Sequence, residues 1–104
     1  MKEKRTPEEI LTQAVLEAAE QAQTECGCRM TRLMQNVRTQ GASAYLKMLL
    51  ARHRRSDEFD RLADEGRLEL SMEAIAVKSC FGSLFTDEEI NACLSVLLEN
   101  GYFG

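Results

Sequence analysis

Apolar residues recur every three or four positions along most of the chain, which is the period of an amphipathic helix. The first run follows "TPEE" at 6–9, where Thr6 is placed as the N-cap, Pro7 as the first helical residue and Glu9 at N3. This combination is a capping box with its preferred proline. We predict a helix from there to about Glu25, ended by Gly27. Its inward side would carry Ile10, Leu11, Ala14, Val15, Ala18 and Ala22.

Five more helices are predicted by the same spacing, over 30–40, 43–55, 57–65, 72–78 and 87–100. Glycines stand at several of the predicted ends, as expected of C-caps. The residues placed as N-caps are Ser56, Ser71 and Thr86, the last with Glu89 as a second capping box. The inward residues of the last helix would be Ile90, Cys93, Leu94, Leu97 and Leu98, with Tyr102 and Phe103 folding back onto the core. We therefore predict an all-α, compact single-domain bundle of five or six short helices over 1–104, with 1–5 as a flexible N-terminus.

The composition agrees with this fold class. The chain has 104 residues, one Pro and no Trp, so its core must be built from aliphatic side chains. Its basic N-terminus is followed by no apolar segment typical of a signal peptide, and no stretch has the roughly 20 apolar residues that a membrane span needs. We expect a cytoplasmic protein that does not enter a membrane.

Charge is distributed unevenly along the chain. Residues 1–56 hold ten Lys and Arg against six Asp and Glu, whereas residues 57–104 hold three against eleven. An acidic surface complements the basic channels of nucleic-acid enzymes. The acidic half therefore predicts a protein-binding face formed by Asp57, Glu58, Asp60, Asp64 and Glu65.

The basic half offers an alternative surface. If the second and third helices pack side by side, their arginines could form a stripe that contacts nucleic acid. The residues of this alternative are Arg29, Arg32, Arg38, Arg52, Arg54 and Arg55. The predicted second helix carries only Gln35, Asn36, Arg38 and Gln40 as side chains that can read bases, so a solvated surface is the favoured interpretation.

The stretch "ARHRRSDEFD" at 51–60 joins the basic half of the chain to the acidic half. We predict the last turn of the third helix at Arg52 to Arg55, where cations meet the negative end of the helix dipole. Ser56 would then cap the next helix, and the carboxylates after it would occupy the first turn of that helix.

Few residues suggest catalytic or metal chemistry. Cys26, Cys28, Cys80 and Cys93 could in principle complete a zinc site, but they lack the two close pairs that structural zinc sites usually present. His53 is the only histidine, and its neighbours Arg52 and Arg54 disfavour the imidazolium that a general base must form. We expect no cofactor, no metal and no enzymatic activity.

Residues 41–104 resemble a helical segment that recurs in uncharacterised bacterial and mobile-element proteins. The pattern is SDxF, then GRLxL[ST]xEA, LFTxxE and a closing GY. It is carried by Ser56, Asp57, Phe59, Gly66, Arg67, Leu68, Leu70, Ser71, Glu73, Ala74, Leu84, Phe85, Thr86, Glu89, Gly101 and Tyr102. Cys93 departs from it, since an ordinary helix former is expected there. The segment brings no activity with it and implies only a context, that of an accessory factor.

Together these observations predict a non-enzymatic protein-binding module. Its partner would be another protein, such as a nucleic-acid enzyme that the module inhibits by covering a site, in the manner of phage or plasmid factors directed against restriction or CRISPR nucleases. The alternative is a nucleic-acid-binding accessory protein that uses the basic face of residues 29–55. A homodimer is left open.

Overall fold

The computed structural model describes residues 6–102, apart from the side chains of Ser79 and Cys80. Within this range the secondary structure consists of six α-helices and two 3₁₀ segments, without strands. The helices are α1 (Pro7–Cys26), α2 (Thr31–Gln40), α3 (Ala42–Ala51), α4 (Phe59–Asp64), α5 (Met72–Ala76) and α6 (Asp87–Glu99), with 3₁₀ segments at Leu68–Leu70 and Ser79–Leu84. The predicted all-α fold class is confirmed. The flexibility predicted for 1–5 and the position predicted for Phe103 concern residues outside the described range.

Helix α1 is the centre of the bundle, in contact with α2, α3, α5 and both 3₁₀ segments. Its buried face consists of Leu11, Val15, Ala18, Ala19 and Ala22. Three alanines on this face allow several neighbours to approach one helix closely, and larger side chains from those neighbours fill the core. Among the described residues, no helix is both long and apolar enough to cross a membrane.

The local signals at the helix starts are confirmed. Thr6 and Glu9 form the capping box of α1, and Thr86 and Glu89 form that of α6, with both reciprocal hydrogen bonds present in each. Ser71 caps α5 by accepting a hydrogen bond from the Ala74 N–H. Such caps each contribute about 1 kcal/mol.

Helix α3 begins without a cap of its own. Gly41 alone separates α2 from α3, at φ 90° and ψ 148°, a conformation that only glycine adopts readily. The first amides of α3 are bound by side chains of α1: the Ala42 N–H donates to Thr12 Oγ1 at 3.1 Å, and the Ser43 N–H donates to Glu8 Oε2 at 3.3 Å. Thr12 and the Ser43 hydroxyl also donate to the Glu8 carboxylate, so the cap is a connected network.

The end of α3 corrects the prediction. The helix stops at Ala51, so Arg52 to Arg55 do not form its last turn. The Arg54 N–H donates to the Leu49 carbonyl at 2.8 Å and the His53 N–H to the Leu50 carbonyl at 3.1 Å, the bonding of a Schellman motif. His53 occupies its left-handed position at φ 55°, where glycine is usual. Because histidine stands there, the sequence carries no glycine signal for this end.

The start of α4 is a second correction. Ser56 is not its N-cap, and Asp57 and Glu58 are not helical; the helix begins at Phe59, with Glu58 at its N-cap in a left-handed conformation at φ 65°. In the capping boxes of α1 and α6 a glutamate stands three residues after the threonine, but Phe59 stands three residues after Ser56. The Ser56 hydroxyl is instead bonded to Glu73, a residue of α5.

Two core assignments are also wrong. Ile10 is 46% exposed and Leu98 is 61% exposed. Each is the sequence neighbour of a fully buried leucine, Leu11 or Leu97, and a helix turns by about 100° per residue, which rotates them away from the core. Tyr102 is half-buried against the core, as predicted.

Candidate functional site

An open groove of about 690 Å³ runs along α2, α3 and the segment that follows α3. We call it the basic groove. Its lining consists of Arg32, Asn36, Gln40, Tyr45, Met48, Leu49, Arg52, His53, Arg54, Arg55, Asp57 and Asp60. Four arginines against two aspartates give it a net positive charge in a chain whose net charge is −4. The fold therefore concentrates cations that are separated along the sequence.

The wall formed by α2 is a consequence of its helical period. Arg32, Asn36 and Gln40 follow one another at intervals of four residues, so they lie along one side of the helix. Leu33, Met34 and Val37 on the other side are buried against α1 and α3. One cation and two amides thus line the same wall.

The opposite wall is the non-helical segment 52–58. The early end of α3 at the His53 turn leads the chain into an irregular path with exposed side chains at Arg52, Arg54 and Arg55. Arg55 binds Asp60 at 2.7 Å and lies 5.7 Å from the centre of the Phe59 ring. Arg52 and Arg54 have no carboxylate within ion-pair distance in the described part of the chain, so their charge is available to a ligand.

The floor of the groove holds Tyr45, which is buried apart from its polar end. Its hydroxyl donates to Asp57 Oδ1 at 3.2 Å. Burial, and then the charge of Asp57, raises the pKa of the Tyr45 phenol, so it stays protonated as a hydrogen-bond donor. Asp57 is thereby held against α3 rather than displayed on α4.

The segment 52–58 is anchored by Glu73, a fully buried carboxylate of α5. The Ser56 N–H donates to Glu73 Oε2 at 2.8 Å, and the Ser56 hydroxyl donates to Oε1 at 2.6 Å. Burial raises the pKa of Glu73, and the Ser56 hydrogen bonds act in the opposite direction. This bond fixes the residue directly after the arginine cluster, and the sequence signals for helix periods and caps did not reveal it.

The predicted acidic face is divided by this arrangement. Asp57 and Asp60 line the basic groove, and Asp60 is paired with Arg55. Glu65 lies 3.9 Å from Arg61, an interaction at the limit of an ion pair. Asp64 is exposed, and Glu58 is half-buried at the start of α4. Of the five carboxylates, two line the basic groove and three do not.

The predicted basic surface is assembled in part. Arg32, Arg52, Arg54 and Arg55 come together in the basic groove, whereas Arg29 and Arg38 are exposed outside its lining. The arginines and the amide side chains could be identified from the sequence. The path of the chain that brings Arg32 close to the 52–55 cluster depends on the His53 turn and on Glu73.

Two of the cysteines, Cys28 and Cys93, are buried in the core, and Cys26 is half-buried. Burial, and then the neighbouring charges of Glu73 and Glu89, raises the pKa of Cys93 to about 12; burial also raises that of Cys28. Raised values disfavour the thiolate that binds metal. Among the described side chains no three His, Cys, Asp or Glu residues are grouped as metal ligands. The Cys80 side chain lies outside that description.

In the comparisons with family models, curated proteins and solved structures, nothing matched the chain.

Proposed function

We propose that this chain is a non-enzymatic binding module that holds nucleic acid in the basic groove. The observation that carries the proposal is the convergence of Arg32 with the 52–55 cluster, beside Asn36 and Gln40. Arginines bind phosphate oxygens, and amide side chains bind the edges of bases. A groove that combines arginines with amide side chains is better suited to bind a nucleic acid than to bind a protein surface of uniform charge. We place this activity in the cytoplasm.

The titratable residues of the groove also favour a binding role without catalysis. Its two carboxylates are bonded to Tyr45 and Arg55, and its single histidine occupies the left-handed turn after α3, between two arginines. Binding by occlusion or recruitment requires none of these groups to exchange protons. An accessory role of the kind carried by phages and plasmids fits such a module.

Fluorescence polarisation with labelled 20-mer DNA at about 50 mM and 200 mM salt tests the proposal. The substitution R32Q/R52Q/R54Q removes three groove cations, and R29Q/R38Q/K78Q removes three exposed cations outside it. We expect at least a tenfold loss of affinity for the first variant, and a salt slope lower by about one for each phosphate contact removed. The second variant should retain most of the affinity. Equal losses in both, or no binding by the parent protein at low salt, would refute the proposal.

Protein binding through carboxylates is the second candidate, including inhibition of a nucleic-acid enzyme. It is favoured by Asp64, Asp87 and Glu88, which are exposed and have no cation within ion-pair distance in residues 6–102. The triple substitution D64N/D87N/E88Q should then abolish capture of a nuclease partner, while R32Q/R52Q/R54Q should not. The opposite pattern favours the basic groove.

A further inference from the structure

A second depression lies directly beside the basic groove, between the end of α3 and α6. It has a volume of about 230 Å³, and its lining is Leu50, His53, Arg54, Arg55, Ala92 and Val96. Its lining combines three aliphatic side chains with two arginines and a histidine, and we call it the aliphatic pocket. His53, Arg54 and Arg55 also line the basic groove, so the segment 53–55 is a ridge between the two depressions.

We infer that the two depressions together bind one single strand of nucleic acid, with phosphates on the arginines and one unpaired base in the aliphatic pocket. This inference rests on the proposed function and specifies its substrate class. Single-strand sites combine a basic track with apolar or aromatic platforms, because every base has a face that can be removed from water.

The polar lining of the groove favours unpaired bases over a duplex. Asp57 and Asp60 would repel a continuous line of phosphates, but carboxylates accept hydrogen bonds from the amino groups of bases. Asn36 and Gln40 offer matching donors and acceptors on the α2 wall. A duplex uses the Watson–Crick edges of its bases for pairing, whereas a single strand can turn those edges toward these four side chains.

The ridge favours a flexible ligand. A ligand that occupies both depressions must pass over His53, Arg54 and Arg55 within a few nucleotides. Duplex DNA has a persistence length of about 50 nm and resists such a bend, but a single strand does not. Crossing the ridge also brings a base close to Arg54, whose guanidinium group can stack on it.

The aliphatic pocket can be filled without changing its charge. Ala92 is exposed on α6, so A92L should place a larger side chain in the pocket while leaving the core intact. Ser95 is also exposed on α6 and does not line the pocket, so S95L is the matched control. Thermal unfolding of both variants shows whether the fold is retained.

The probes are a labelled 20-nucleotide single-stranded DNA, its 20-bp duplex and an abasic strand of the same length, compared by polarisation at equal salt. We expect the strand to bind at least tenfold more tightly than the duplex. The abasic strand loses every base contact, so it should bind at least about 5- to 150-fold more weakly, which is the loss expected for one base. A92L should weaken binding of the intact strand without changing that of the abasic strand, and S95L should change neither.

Three results would overturn the inference: duplex bound as tightly as strand, abasic DNA bound as tightly as intact DNA, or equal effects of A92L and S95L. If duplex and strand bind equally and R32Q/R52Q/R54Q abolishes both, the proposed function stands and only the single-strand inference fails. If no DNA binds, both fail. An acidic leucine-containing peptide that binds in an A92L-sensitive way, in the absence of DNA binding, would assign the two depressions to a protein partner and overturn the inference.

Discussion

The first amides of α6 and those of α3 find their hydrogen-bond partners in different parts of the chain. The first amides of any α-helix lack partners within the helix. At α6 the Glu89 N–H donates to the Thr86 hydroxyl, three residues away, and three carboxylates lie in the first turn. At α3 the first amides are bound by Thr12 and Glu8, which are 30 and 35 residues away along the chain. One start is encoded locally, and the other exists only when α1 is packed in place.

The ends of the two helices also differ in whether the local sequence indicates them. A glycine at φ 81° follows α6, and a histidine in the left-handed region follows α3. After that histidine, Ser56 is held by Glu73 rather than by its own helix. The chain from the start of α3 through Arg52, Arg54 and Arg55 is therefore held at both ends by carboxylates from other helices, Glu8 at Ser43 and Glu73 at Ser56.

The largest expected effect is that of E73A. Removing the carboxylate leaves the Ser56 N–H and hydroxyl buried without an acceptor, at about 1–3 kcal/mol for each unsatisfied group. We expect the free energy of unfolding to fall by about 2–4 kcal/mol, measured by urea denaturation. The exposed Glu99 of α6 provides the control, since E99A should change stability by less than about 0.5 kcal/mol. Equal effects of the two variants would mean that Glu73 does not anchor segment 52–58.

The next effect distinguishes a long-range cap from a local one. E8A should lower stability by about 1–2 kcal/mol, because the cap of α3 is lost together with a carboxylate in the first turn of α1. E9A, one residue away, breaks only the capping box of α1. Hydrogen exchange should therefore accelerate at Ala42 and Ser43 in E8A, and near Thr6 in E9A. Acceleration at the same amides in both variants would contradict the assignment.

A smaller effect concerns the end of α3. H53G should raise stability by about 0.5–1 kcal/mol, since glycine enters the left-handed region without the steric cost of a Cβ. A51G introduces the same residue two positions earlier, inside the helix, and should lower stability by about 0.5–1 kcal/mol. Urea midpoints of the two variants should move in opposite directions. Movement in the same direction would mean that α3 does not end at Ala51.

The smallest effect is a dependence on pH. Burial raises the pKa of Glu73 above its unfolded value of 4.5, so the folded protein retains a proton that the unfolded chain has released. The contribution of this group to stability is therefore greatest below pH 4.5 and decreases as the pH rises through the folded pKa. The charged and titratable groups that act on this site are Arg55 and Cys93.

E73Q isolates this dependence from the other carboxylates. Glu25, for example, has its pKa lowered by Arg67 and contributes in the opposite direction. The stability of the parent protein minus that of E73Q should fall as the pH rises above 4.5, and urea titrations at several pH values would measure it. A constant difference would mean that Glu73 has the same pKa in the folded and the unfolded chain.

The features that could be predicted from the sequence are those that depend on neighbouring residues. The helix starts at Thr6, Ser71 and Thr86 could be read from the sequence, since the residues that satisfy the first amides stand within three positions of them. The fold class followed from the apolar period. The His53 turn, the role of Ser56 and the position of Asp57 could not be read, because each depends on a partner brought close by packing. All four groove arginines belong to the basic surface proposed from the sequence, but the packing that brings them together could not be predicted.

Residues 30–60 contain every arginine of the basic groove, yet they lack Glu8, Thr12 and Glu73. A peptide cut from this span, or the same span grafted into another helical scaffold, would carry the charges without the geometry. Transplanting the groove would require α1 and α5 as well, which is most of the bundle. The groove is thus inseparable from its host fold, and smaller binders derived from this chain would have to recreate both carboxylate anchors.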